Sequence, residues 1–302
     1  MSKTIYIEST DTGATLTTYW YVSAWMMWAA EQLGFNDVYI NWQQGCMPPR
    51  SLQAYEDKER IPNQFEWYFL QPKTNNPTSR NESEIWTWQH KNWDSNIDMS
   101  PYQFMSQPLQ VIKDYYKKHL HFNDETNRGG QLLVDKYGID FSKTIGITWR
   151  GTDIYLESAN GYEGRKYTPI EYYFEWIDKA LEAIPDARIA VTAEEEGILE
   201  PLFARYPQAF LIEEFYQAPK GSKHNPERFS PMSGYERGLQ PALMVWLFSK
   251  CAWLIKNRAS TSAVASWCSD GEIVNICHTE VLGFPPHLEG VEYKGQLYAL
   301  SK

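Results

Sequence analysis

Four things are scarce in this chain of 302 residues: cysteine, positive charge in excess, long apolar runs and repetition. Its four cysteines, Cys46, Cys251, Cys268 and Cys277, lie far apart with no C-x-x-C pair. That spacing argues against a disulfide framework or a cysteine zinc site and fits reduced thiols packed as small hydrophobes. Lys and Arg total 28 against 38 Asp and Glu, a formal net charge of −10. A protein that coats nucleic acid needs a basic surface to release counterions, so the charge argues against that class, while a base-modifying enzyme with a small basic groove stays open. No stretch approaches the run of about 20 apolar residues that a membrane span requires. The opening Met1–Glu8 has too short an apolar run for a signal peptide, so a cytoplasmic chain is expected. His119 and His121 flank a single residue but have no acidic or Cys partner near them in sequence, and neither a structural metal nor a cofactor is expected.

Aromatic residues are abundant instead, with 13 Trp, 20 Tyr and 13 Phe. Flat rings cover the apolar C–H face of a sugar, and they equally fill a core. Short β-branched runs alternate with helical stripes, which reads as α/β throughout. Thr4–Glu8 is expected as a strand, Tyr19–Gly34 as a buried helix ending at its glycine, and Val38–Trp42 as the next strand. The turn between the first strand and helix lacks the G-x-G-x-x-G spacing of a dinucleotide site. Gln43 to Ser106, rich in Asn, Gln, Pro and Trp, reads as loops and short helices around a cleft, suited to acceptor recognition or simply irregular surface. Pro108–Phe122 is expected to be helical, and the polar segment Asn123–Gly130 is the candidate boundary between domains 1–128 and 129–302.

The second half opens with a strand at Thr144–Trp149 that runs directly into Arg150-Gly151-Thr152-Asp153. Thr168-Pro169-Ile170-Glu171 reads as a capping box ahead of a helix whose stripe includes Ile170, Tyr173, Phe174 and Ile177. Ile189–Thr192, Phe210–Glu214, Trp253–Lys256 and Ile273–Ile276 complete a doubly wound sheet, whose ligands belong beyond the C-terminal strand ends. Three of those ends carry unusual residues: Arg150 with Asp153, Thr192 with Glu194, and the run Asn257-Arg258-Ala259-Ser260-Thr261-Ser262. A guanidinium grips a diphosphate by forked, charge-assisted hydrogen bonds, and hydroxyls with helix N-terminal amides complete such a cradle. The same residues also read as a structural ion pair and a helix N-cap. Lys256, Arg258, Glu236 and Arg237 stand near the last run, either within reach of a ribose or phosphate or as solvated charges.

Thr148-Trp149-Arg150-Gly151-Thr152-Asp153 resembles the His-x-Arg-x-x-Asp element of the fucosyltransferase superfamily, which includes nodulation-type α1,6-fucosyltransferases and protein O-fucosyltransferases. Val191-Thr192-Ala193-Glu194 is similar to the family's second element. Leu247–Lys256 running on to Ser260-Thr261-Ser262 is similar to its third. Phe65-Glu66-Trp67-Tyr68-Phe69 resembles a run in some microbial members, which makes Glu66 and Tyr68 acceptor-side candidates. The motif's histidine is Thr148 here, its second arginine is Gly151, and the aspartate before the third strand's aromatic is Ala252.

The resemblance implies a GT-B-like fold of two Rossmann-type doubly wound domains facing a central cleft. It also implies an inverting, metal-independent transfer with GDP-fucose as donor and a glycan hydroxyl as acceptor. Arg150 then corresponds to the arginine on the β-phosphate, and Ser260 with Thr261 to hydroxyls near the same phosphates. Thr192, Glu194, Asn257, Arg258 and Ser262 complete the expected donor set, and Asp153 or Glu157 is the candidate base. A different nucleotide sugar, a nucleic-acid-base acceptor, or a non-catalytic nucleotide or glycan binder on the same scaffold are the competing readings.

Overall fold

The computed structural model describes residues 4–9, 16–35, 37–42, 63–72, 84–89, 94–95, 104, 107–150, 168–219, 232–257, 259–278, 289–294 and 296–298. Contacts divide the chain into two units, one of Met1–Gly130 with Met232–Leu243 and the other of Gln131–Pro231 with Met244–Lys302.

The first unit begins with β1 (Thr4–Ser9), α1 (Leu16–Gln32) and β2 (Asp37–Asn41). Trp20, Trp25, Met26, Ala29 and Ala30 are buried around α1, so the helix is apolar on most sides and belongs to the interior rather than to a surface. It stops where the sequence says it should. Gly34 takes φ 78°, its N–H reaches Glu31 O, and the Phe35 N–H reaches Ala30 O. These two bonds form the Schellman pattern, which satisfies carbonyls the helix end leaves open.

The segment expected to be loops holds three strands: β3 (Phe69–Leu70), β4 (Glu84–Gln89) and β5 (Asp94–Ser95). β4 lies inside the sheet of order β2-β1-β4-β5 and pairs in parallel with β1. Its sequence alternates Ile85 and Thr87 with Trp86 and Trp88, a period-two pattern that the surrounding Asn, Gln and Pro obscure. The expected helix is shorter than its apolar stripe. α2 covers Leu109–His119, after which His121–Phe122 forms β6 against β3. Asn123 then caps α3 (Asp124–Tyr137) by accepting the Thr126 N–H. The polar stretch Asn123–Gly130 is therefore mostly helix.

The second unit is one sheet of order β13-β12-β11-β10-β7-β8-β9 with helices between its parallel strands. In chain order these are β7 (Thr144–Trp149), α4 (Phe174–Ala183), β8 (Arg188–Ala193), α5 (Glu200–Arg205), β9 (Ala209–Leu211), α6 (Gly234–Phe248, which belongs to this unit from Met244 onward), β10 (Trp253–Asn257), α7 (Ser260–Cys268) and β11 (Glu272–His278). β12 (Glu289–Tyr293) and β13 (Gln296–Tyr298) add an antiparallel edge. All six residues of β7 are buried, as expected of a central strand covered on both faces. On one face Ile145, Ile147, Ile189, Val191 and Ile255 pack with Ile177 and Trp176 of α4. The opposite face is closed against Gly146.

The expected capping box at Thr168 is absent. Residues Ile170–Tyr173 form a 3₁₀ turn whose N-cap, Pro169, makes no side-chain cap bond, and the Thr168 carbonyl is taken by Trp149 Nε1 at 2.7 Å. A true capping box occurs elsewhere. Glu236 Oε2 accepts from Ser233 N and Oγ at the start of α6, and the Glu236 N–H reaches Ser233 Oγ. That contact fixes Glu236 as a helix cap.

Packing at Gly146 is tight enough to measure. A Cβ there would stand 2.7 Å from Phe248 Cδ1 and 3.1 Å from Cys251 Sγ, both side chains being fully buried. Gly146→Ala is expected to destabilise the protein by about 1–3 kcal/mol, read as a lower denaturant midpoint at unchanged slope. An unchanged midpoint would mean that this side of the sheet is loosely packed.

Candidate functional site

β9, β8, β7, β10 and β11 lie in the spatial order third, second, first, fourth, fifth along the chain. The order reverses between β7 and β10, and in such a sheet the crevice beyond the C-terminal ends of those two strands is where ligands bind. β7 ends at Trp149 and β10 at Asn257, so Arg150 and Asn257 face this point from adjoining strands.

Asn257 ties the two strand ends together. The Arg150 N–H donates to Asn257 Oδ1 at 3.1 Å, and Asn257 Nδ2 donates back to the Arg150 carbonyl at 2.6 Å. This side chain extends the β7–β10 ladder by one step and fixes the backbone from which the arginine projects. The residue is 2% exposed. It is held in turn by Ser262 of α7, whose hydroxyl lies 2.9 Å from the Asn257 carbonyl and 3.1 Å from that of Ala259. Ser262 thus supports the turn from within.

The guanidinium of Arg150 reaches β8. Its Nε lies 3.4 Å from Glu194 Oε1, with the two side chains 15% and 23% exposed. A pair this sheltered orients the arginine more firmly than a surface ion pair would. Thr192 and Thr148, two residues back along β8 and β7, are register partners and both buried. Beneath Arg150, the Tyr173 hydroxyl donates to the Thr148 carbonyl at 3.2 Å. Burial pushes that phenol well above its usual value, so it stays a neutral donor.

Arg150, Thr192, Glu194, Asn257 and Ser262 are thus brought to one end of one sheet. Ser260 opens α7 and Thr261 is half-buried beside it. Asp153, Glu157 and Arg258 lie outside the described residues. Ala252 sits at the other end of β10, with its N–H on the Phe141 and Thr144 carbonyls. Five residue steps along the strand set it about 16 Å from Asn257, so this position is remote from the switch point.

The two acceptor-side candidates belong to the first unit and are occupied there by structure. Glu66 Oε1 accepts from Tyr39 Oη at 2.9 Å, Gln71 Nε2 at 2.9 Å and Asn63 Nδ2 at 3.3 Å. Burial, ahead of the adjacent carboxylate, pushes the Tyr39 phenol up to about 12. Tyr68 is fully buried, stacks on Tyr235 and donates to the Tyr235 carbonyl at 3.0 Å. Among the described residues no group of His, Cys, Asp or Glu is arranged to hold a metal ion, and no helix is long and apolar enough to cross a membrane.

The fold defines the class: this is a fucosyltransferase-like α/β fold, GT-B-like in type. The NodZ α1,6-fucosyltransferase soaked with GDP-fucose matches with a TM-score of 0.51 at 12% identity, over 97% of this chain and 99% of that one. POFUT1 in complex with GDP-fucose matches with a TM-score of 0.48 at 9% identity, over 88% and 94% of the two chains. A mutant of Arabidopsis thaliana FUT1 in complex with GDP gives 0.49 at 9% identity, over 91% and 70%. No protein-family model and no curated protein sequence matches the chain.

The Asn257 clamp makes a specific prediction. Asn257→Asp keeps the acceptor for the Arg150 N–H but sets a carboxylate oxygen against the Arg150 carbonyl in place of an N–H donor. A stability loss of about 1–3 kcal/mol is expected, measured by denaturant unfolding. Wild-type stability in this variant would show that the clamp is dispensable.

Proposed function

We propose that this protein is an inverting, metal-independent glycosyltransferase that moves fucose from GDP-fucose onto a hydroxyl of a glycan. The observation that carries the proposal is Arg150, held at the switch point of a doubly wound sheet by Asn257 and Glu194. The fold shared with the NodZ enzyme, whose crystal was soaked with GDP-fucose, supports this choice of donor.

In the proposed reaction an acceptor oxygen attacks the anomeric carbon from the face opposite the nucleotide. The bond from that carbon to the β-phosphate oxygen breaks, GDP departs with the electron pair, and the acceptor's proton passes to a base. Charge grows on the β-phosphate as the bond lengthens. Arg150 then binds the transition state more strongly than the ground state, which is the condition for raising the rate. Asn257 and Ser262 act as positioning residues. Thr192, Glu194, Arg258, Ser260 and Thr261 are assigned to the donor, and Glu157 or Asp153 to the proton. Residues 129–302 are assigned to the donor and residues 1–128 to the acceptor.

At saturating donor, Arg150→Ala is expected to lower the transfer rate about 10²- to 10³-fold, some 3–4 kcal/mol of lost stabilisation. Retention of near-full activity in a folded variant would remove Arg150 from the mechanism. The donor itself is tested by thermal denaturation with GDP, UDP, ADP and CDP and their sugar conjugates. A ligand that binds only the native state at 100 times its Kd adds about 2.7 kcal/mol, so GDP and GDP-fucose are expected to raise the melting temperature of wild type and not of Arg150→Ala. A response to another diphosphate alone would replace the donor, and binding without turnover toward any acceptor would identify a non-catalytic binder.

A further inference from the structure

The pairing along the β9 side of β8 does not run evenly past the end of the strand. The Ile212 N–H reaches the Val191 carbonyl at 3.1 Å. Alternate residues of a strand face one neighbour, so an unbroken parallel ladder would next take the carbonyls of Ala193 and Glu195. Instead the Ala218 N–H reaches the Glu194 carbonyl at 2.7 Å, the Glu196 N–H reaches the Ala218 carbonyl at 3.0 Å, and Glu195 and Ala218 form an isolated parallel bridge. The register has slipped by one residue between Val191 and Glu194, as at a β-bulge. Bulges beside a site re-aim the side chains next to them. Here the neighbouring side chain is Glu194, whose Oε1 meets Arg150 Nε.

The slip leaves the Ala193 and Glu195 carbonyls out of phase with the backbone donors, and one side chain takes both. Gln217 Nε2 lies 3.3 Å from the Ala193 carbonyl oxygen and 3.5 Å from that of Glu195, and its amide carries one N–H for each. Gln217 is half-buried, between the buried Ala193 and Ala218. Glu194 is therefore held along its whole length: its own carbonyl by Ala218, and the carbonyls before and after it by Gln217. On β8 this repeats what Asn257 does on β10, where a side-chain amide also takes over as the ladder stops. An arginine on a flexible stem has to be ordered before it can grip an anion, and ordering it during binding weakens the affinity. A guanidinium clamped beforehand escapes that loss.

We infer that Gln217 is a positioning residue for Arg150. By bridging the Ala193 and Glu195 carbonyls it fixes the Glu194 carboxylate, and the carboxylate fixes the direction in which the guanidinium meets the diphosphate of a nucleotide donor. The identity of that anion rests on the donor reading proposed above, while the positioning rests on the contacts of β8 and Gln217.

Gln217→Met keeps the length and bulk of the side chain and removes both N–H donors. Two quantities are read: solvent exchange of the Arg150 Nε–H by NMR, its signal identified by loss in Arg150→Lys, and affinity for inorganic pyrophosphate by calorimetry. Exchange about 3-fold faster or more is expected, with pyrophosphate bound about 3- to 10-fold more weakly. In a Glu194→Ala background, Gln217→Met is expected to change neither quantity, because the link through which it acts is gone. A glutamine that serves stability alone would lower the melting temperature and leave the Nε–H exchange as in wild type, which would overturn the inference. An equal loss of affinity in both backgrounds would overturn it as well. If Gln217→Met does not fold, Gln217→Ala, which deletes the amide without adding bulk, is read in the same way. Faster Nε–H exchange in a protein that binds no pyrophosphate would uphold the positioning and reject the donor reading. Unchanged exchange in a protein that binds it would reject the positioning and leave the donor reading intact.

Discussion

The parallel pairing of β7 with β10 is the constraint from which the rest of the second unit follows. Because the chain returns to this pair after building β8 and β9 on the far side, its connections leave in opposite directions and open a crevice at the strand ends. Asn257 prolongs the pairing past the last ladder bond by gripping both backbone groups of Arg150. A flexible, charged side chain thus starts from a fixed point. Ser262 supports Asn257 from α7, and Glu194 meets the guanidinium from β8, so three separate strand or helix ends converge on one residue.

Polar groups near the middle of such a sheet are costly, and here they are graded along the strands. Thr144, Ile145, Gly146 and Ile147 lie deep in β7, where apolar packing and the absence of a Cβ at Gly146 allow Phe248 and Cys251 to close over the sheet. From Thr148 onward the side chains on one face are hydroxyl and charged. Sites where local composition departs from what packing prefers are where a fold gives up stability for chemistry. Burial pushes the Cys251 thiol up to about 12, so on the sealed side even a titratable group behaves as a small hydrophobe.

Short-range likeness and chemical role separate in the first unit. Glu66 and Tyr68, which a resemblance offers as acceptor-side residues, also hold the first unit together. Glu66 gathers three donors on a single oxygen, and Asn63, whose Nδ2 also reaches the Ile40 carbonyl, joins β2 to the turn. Tyr68 closes on Tyr235, and a Cβ on Gly238 would stand 2.1 Å from its hydroxyl. A recurring run of residues can mark what a fold needs as readily as what a reaction needs.

The sequence by itself determined the α/β class, the Schellman end at Gly34, the limits of β7 and the placement of Arg150 at a strand terminus. Each of these is a local matter of periodicity, glycine conformation or strand length. It missed β4, because a period-two run of Ile, Trp and Thr is masked by polar neighbours, and it misplaced the helix cap at Thr168, because Trp149 claims that carbonyl from another element. Only the tertiary structure decided that Asn257 and Ser262 are supports and that Lys256 is buried rather than solvated. Those facts depend on which strands become neighbours and in what register, which is settled by packing between residues more than a hundred positions apart.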